Sequence, residues 1–297
     1  MKEIKDYKKV FETLISETEK YLKSNNLKAM ILGISGGIDS TVTAAICHEV
    51  EKRNSYIKFI GVSLPCNTNS DEENLSAKTA MEGFCKAGNY WTENLQEEYA
   101  LVKSICEAHT KSTPISQGNI KARLRMIYLY NLASTMSGLV MDTDNLTEHY
   151  LGFFTIHGDV ADYNPIGGLW KHEVYELAKY IRNLYSYHGA GSVMVEALDK
   201  AIEITPTDGN GVQTGGDMAQ IAPGHTYEEV DDILGTYLDL ENSKTNDYKD
   251  VVDLNGVLER LGQKYGKETV DRVIERHKKS EFKRGRMPKV IERSLYE

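Results

Sequence analysis

The residues Ser35, Gly36, Gly37, Ile38, Asp39 and Ser40 carry the clearest chemical signal in the sequence. Adjacent glycines let a backbone approach a phosphate closely, because no Cβ stands in the way. N–H groups at a helix start then converge on the anion, helped by a helix dipole equivalent to roughly half a positive charge. Ser35 and Ser40 add hydroxyl donors. Asp39 is the odd member, since a carboxylate beside a phosphate is repelled unless a cation lies between them. Mg2+ commonly bridges the two, so Asp39 reads as a magnesium ligand. The loop is not a Walker A sequence, because the Lys of that pattern is missing. A glycine-rich turn with Asp39 as a helix N-cap is the plainer alternative.

A phosphate loop of this kind needs a strand before it and a helix after it. Residues 29–34 form a short apolar run that predicts a buried strand, and 41–53 have helical character. The alternation continues with a strand at 57–64, a helix at 71–87 starting from a Ser70 N-cap, and a short strand at 89–93. Helices are expected at 96–109 and 117–135, a strand at 138–141 and a helix at 171–185. Strands alternating with helices argue for a parallel sheet covered on both faces, the doubly wound α/β class, which places ligands beyond the strand ends. Residues 1–25 read as an amphipathic helix rather than a signal peptide, residues 205–224 as a long loop, and the chain from Thr226 onward as helical.

Composition narrows the function classes. The chain has 297 residues, 40% hydrophobic and 27% charged, which suits a folded soluble protein. A net charge of −9 gives no broad positive field for a nucleic-acid backbone. No stretch reaches the ~20 apolar residues that span a bilayer. Cys47, Cys66, Cys85 and Cys106 lie far apart with no C-x-x-C pair, which points to thiols rather than a zinc cluster or redox motif. A cytoplasmic protein is expected.

The six-residue loop resembles the signature of the ATP pyrophosphatase superfamily, whose members cleave ATP to AMP and pyrophosphate while activating an acyl or similar oxygen. Three segments follow in order: Gly118-Asn-Ile-Lys-Ala-Arg-Leu-Arg-Met126; Asp142-Thr-Asp-Asn-Leu-Thr-Glu-His-Tyr-Leu-Gly-Phe-Phe-Thr155; and Gly158-Asp-Val-Ala-Asp-Tyr-Asn-Pro-Ile166 with Leu169-Trp-Lys171. On these segments, and over residues 11–288, the chain resembles the NAD synthetase family. The resemblance implies an adenine nucleotide alpha hydrolase-like fold and ATP-dependent amidation of deamido-NAD by ammonia. ATP is then a co-substrate and Mg2+ the cofactor.

By the same resemblance Asp39 and Glu148 hold Mg2+, while Thr143, Lys171 and Thr207 join the loop in contacting ATP or the leaving pyrophosphate. Arg123, Phe153, Asp162, Lys283 and Arg284 serve deamido-NAD, and Asp159 is the candidate acceptor for the ammonium proton. Each has a plainer reading. Glu148 suits a helix start, Lys171 a snorkelling cation, Thr207 a turn beside Pro206, and the segment from Lys278 a solvated basic tail. Arg123 and Arg125 cannot share one helix face.

The chain departs from the family pattern at Asp142, where Gly is usual and a negative charge is added near the nucleotide, at Phe282, where His is frequent, and in a lengthened 183–204 segment. A single synthetase domain over 1–297 is expected, with no glutaminase domain, a basic tail at 278–297 near a homodimer interface, and free ammonia as the nitrogen source. The competing assignments are a GMP synthetase-like or tRNA-modifying ligase, and a nucleotide-binding relative without catalysis.

Overall fold

The apolar run Ala29–Gly33 forms β1, buried on both faces as a central parallel strand must be. Met30 and Leu32 point into one core and Ala29 and Ile31 into another, the alternation that a pleated strand imposes. The computed structural model describes residues 4–66, 69–189, 191–204, 221–245 and 254–285. Among these, β1 lies inside a four-stranded sheet with β2 (Lys58–Ser63), β3 (Tyr90–Thr92) and β4 (Gly138–Val140), in the order β3-β2-β1-β4. Every pairing is parallel.

One face is covered by α1 (Tyr7–Ser24), α2 (Ile38–Arg53), α3 (Asp71–Phe84) and α7 (Lys171–Tyr187), which enclose Phe11, Ile15, Ile46, Phe59 and Phe84. The other is covered by α5 (Pro114–Thr135), packed over Ile31, Ile60, Val62 and Val140, with α4 (Gln96–Glu107) resting on α5. This is the doubly wound sheet the alternation predicted.

A third apolar cluster joins α9 (Tyr227–Thr245), α10 (Leu254–Tyr265) and α11 (Lys267–Lys279) to α6 (Leu146–Leu151) and to Trp170, the residue that opens α7. The helical C-terminal part therefore rests directly on two elements that carry predicted site residues. The short α12 (Glu281–Arg284) follows α11.

The lengthened 183–204 segment is explained by a helix that the sequence reading missed. After α7 ends at Tyr187, α8 (Ser192–Glu203) buries Ala197, Leu198 and Ala201 completely against α2, α3 and α7. All four cysteines are free, three of them buried, and burial pushes the Cys85 thiol up to about 12. No helix among the described residues is long and apolar enough to cross a membrane.

Candidate active site

The predicted phosphate loop crosses from β1 into α2, and its two glycines do different jobs. Gly36 has φ +82°, and a Cβ there would meet the backbone N of Ala77 at 2.3 Å and the carbonyl carbon of Ser76 at 2.7 Å. Ser76 also donates its hydroxyl to the Gly36 carbonyl at 2.8 Å. The first glycine thus lets α3 close against the loop. Gly37 is the N-cap of α2 at φ −72°, with only Ser35 Oγ, at 3.4 Å, near a hypothetical Cβ. Its open side belongs to a cavity of about 770 Å³. The Ser35 hydroxyl lies 3.1 Å from that of Ser40, which places both at the same helix start.

Opposite the loop, Asn145-Leu-Thr-Glu148 closes a capping box at the start of α6. Asn145 Oδ1 accepts from Glu148 N at 3.0 Å and Glu148 Oε2 from Asn145 N at 3.2 Å. Glu148 is therefore the helix-start acid of the plainer reading and still faces the cavity. Lys171, at the first position of α7, extends to the same place. Its Nζ donates to Asp39 Oδ2 at 2.5 Å and Glu148 Oε1 at 3.0 Å, and it stands 5.6 Å above the Tyr227 ring. Asn145 Nδ2 donates to Asp39 Oδ1 at 2.9 Å. Three residues up to 132 positions apart thus form one buried charge cluster.

The cluster is rich in negative charge. Burial opposes the ammonium of Lys171, but Asp39 and Glu148 outweigh it and hold the pKa well above the ordinary lysine value. Burial raises the Glu148 carboxyl even with Lys171 beside it. Asp144, also on the cavity wall, is raised well above the carboxylate range by burial and by Asp142, Glu148, Asp159 and Asp39. Among the described residues no three His, Cys, Asp or Glu side chains could hold a metal ion by themselves. Hard oxygen donors with surplus charge, too few to enclose a cation alone, fit Mg2+ that takes its remaining ligands from phosphate and water.

Phe153 and Asp159 also line the cavity, and Phe153 N donates to the Glu148 carbonyl at 3.0 Å. Asp159 accepts Thr155 N at 2.6 Å; burial raises its pKa while that hydrogen bond opposes the rise. Lys283 donates to the carbonyls of Gly152, at 2.7 Å, and Phe154. The C-terminal segment, expected across a dimer interface, here reaches the cavity of its own chain through Lys283.

Thr143 is on the cavity wall with Ile38 and Ser40. Four other placements differ from the expectations. Arg123 is exposed and donates to the Ile156 carbonyl at 3.2 Å, whereas Arg125, on another face of α5, lines the cavity and donates to the Leu64 carbonyl at 3.0 Å. Asp162 turns away from the cavity to accept Tyr130 Oη and Val140 N, both at 3.0 Å, which ties the loop after β4 back to the sheet. Arg284 ties the end of α11 to α6 through the carbonyls of His277 at 2.9 Å and Tyr150 at 3.1 Å. Asp142 accepts Asp144 N and Ala161 N at 2.8 Å and Asn164 Nδ2 at 3.0 Å, so much of its extra charge is spent on organising the loop.

Thr207 lies outside the described residues. Phe282, where the family often has His, is exposed. Arg276 was not anticipated. Its guanidinium lies 4.7 Å from the Phe153 ring centroid and lines the cavity, and the basic last turn of α11 was the available signal.

The family model described as NAD synthase matches residues 10–288. The NH(3)-dependent NAD(+) synthetase of Wolinella succinogenes is 29% identical over 280 residues, covering 94% of this chain and 93% of that protein. The solved NAD+ synthetase from Burkholderia pseudomallei superposes with a TM-score of 0.64 at 26% identity, over 95% of this chain and 91% of that one. NMN synthetase from Francisella tularensis gives a TM-score of 0.73 at 23% identity, over 98% and 100% respectively, a likeness of fold alone.

Proposed function

This chain belongs to the NAD synthase family, and from that premise we propose that it is an ammonia-dependent NAD synthetase, amidating deamido-NAD at the expense of ATP. The observation that carries the reading is the convergence of the Gly37 and Ser40 loop, Asp39, Glu148 and Lys171 on the wall of one cavity that Phe153, Asp159 and Lys283 also line.

The nicotinate carboxylate attacks the α-phosphorus of ATP to give an adenylate and pyrophosphate, and ammonia then displaces AMP to leave the carboxamide. No protein nucleophile is required, so catalysis rests on positioning and on charge stabilisation. The loop N–H groups and the Lys171 ammonium hold phosphate oxygens. Asp39 and Glu148 would hold Mg2+, which supplies charge neutralisation at the phosphates when bound. Asp159 is the proposed acceptor of the proton that ammonium gives up, its pKa raised toward the range of a useful base. Phe153 and Lys283 serve the dinucleotide, with Arg125 and Arg276 added as the cavity-facing arginines.

The test is release of AMP and pyrophosphate from ATP and Mg2+, with and without deamido-NAD and ammonium, alongside chromatographic detection of NAD. Nicotinate mononucleotide serves as the acceptor control. NAD is expected in step with AMP, both lost in Asp39→Ala and on chelation of Mg2+. ATP binding without AMP or NAD would sink the assignment.

A homodimer belongs to the same proposal. It is supported by the apolar side chains that α4 and α5 leave in solvent, Leu101 and Ile105 one turn apart on α4, and Ile115 and Ile127 on α5. Sedimentation should give the mass of two chains, reduced to one in Ile127→Glu; a single-chain mass for the unaltered protein ends the idea. Free thiols suit the reducing cytoplasm, the proposed location, which cell fractionation tests.

A further inference from the structure

We propose that Asp231 is a positioning residue for this reaction, a buried carboxylate that fixes the starts of α6 and α7 so that Glu148 and Lys171 meet Asp39. The proposal rests on the reading of the cavity as the synthetase site.

The first-turn N–H groups of a helix need acceptors from outside it. The N-cap of α7 is Trp170, whose side chain has no oxygen to offer, so the acceptors come from elsewhere in the chain. Lys171 N donates to Thr147 Oγ1 at 2.9 Å and His172 N to Asp231 Oδ2 at 3.0 Å. Thr147 donates its hydroxyl hydrogen bond to Asp231 Oδ1 at 2.5 Å, and His172 Nδ1, acting as donor, reaches Asp231 Oδ2 at 2.7 Å. Asp231 therefore grips the residue before Glu148 and the residue after Lys171.

Asp231 is completely buried, on a helix whose neighbouring side chains Val230, Ile233 and Leu234 are apolar. A carboxylate in such surroundings costs free energy unless its oxygens are filled. Among the described residues, both oxygens are filled by groups of α6 and α7. The negative charge also faces the positive end of the α7 dipole. Because Lys171 is the first residue of α7, a small slip of that helix start moves its ammonium away from both carboxylates. Misplacement of about 1 Å is enough to cost on the order of 100-fold in rate.

The experiment compares the full chain with Asp231→Asn and Thr147→Val by steady-state kinetics and by amine labelling read peptide by peptide. Lys121 is the internal control, since it is as buried as Lys171 but lies on α5. Both variants are expected to lower kcat by roughly 10- to 100-fold with a smaller change in KM for ATP. Lys171 should become labelled while Lys121 stays protected. In a Lys171→Met background, Asp231→Asn should cost less than it does in the unaltered chain, because one of the two groups it positions is gone.

Unchanged rates and labelling would overturn the proposal. So would parallel exposure of Lys121 and Lys171, or losses that multiply in the double variant, since either means general loosening. If the unaltered chain makes no NAD, the functional reading fails, while the labelling ratio still decides whether Asp231 positions Lys171.

Discussion

Lys171→Met is expected to lower pyrophosphate release on the order of 10²- to 10³-fold, the usual cost of losing one preorganised electrostatic group. It should also cost about 3–5 kcal/mol of stability near neutral pH, because one partner of a buried ion cluster is removed and the others stay behind. Methionine fills the space of the stem but leaves Asp39 and Glu148 facing each other without the cation that now lies 2.5 Å and 3.0 Å from them. The pH dependence has a definite sign. Burial raises the Glu148 carboxyl above its unfolded value, and Lys171 currently restrains that rise. A carboxyl whose folded pKa is raised favours the fold below its unfolded pKa and loses that contribution as pH rises through the folded one. The variant should therefore lie closer to the unaltered protein at about pH 5 than at about pH 8. Urea unfolding at both pH values measures this; a larger penalty at the acid value would show that Lys171 does not restrain Glu148.

The sheet and its phosphate loop were legible because their determinants are local. An apolar run, two glycines and a helical segment adjoin one another, and each strand alternates with a helix along the chain. The meeting of Lys171 with Asp39 was not legible from periodicity, since it spans 132 residues and depends on how α7 returns to the sheet. Only the family resemblance connected them. The limit shows clearly on α5, where helical geometry separates Arg123 from Arg125 but cannot say which faces the cavity. That is decided by packing against β1 and β4.

The α6 helix could have been found. Glu148 reads as suited to a helix start, and Asn145 three residues before it completes a capping-box pattern that the sequence reading leaves unused. The α8 helix hid for a different reason. Its buried face includes two alanines, Ala197 and Ala201, which weaken the apolar stripe. The cap of α7 could not have been read at all, because Thr147 and Asp231 supply it from two other helices.

Two adjacent substitutions separate what the phosphate loop needs for folding from what it needs for ATP. Gly36→Ala is expected to destabilise the chain by roughly 2–5 kcal/mol. About 1–2 of this is the cost of a left-handed backbone for an L-residue, and the rest comes from overpacking against a neighbour that cannot rotate away. That neighbour is backbone, the Ala77 N and Ser76 carbonyl carbon of α3, so relief requires the helix to move. Gly37→Ala meets neither obstacle, with an ordinary φ of −72° and only Ser35 Oγ at contact distance. Its stability should change by no more than about 0.5 kcal/mol. The added methyl instead enters the cavity where a phosphate must approach the helix start, so the affinity for ATP should fall on the order of tenfold or more, about 1.4 kcal/mol per decade. Thermal unfolding and ATP titration on the two variants measure both axes. If Gly37→Ala binds ATP as well as the unaltered chain, the phosphates do not sit against this helix start, and the nucleotide belongs elsewhere in the cavity.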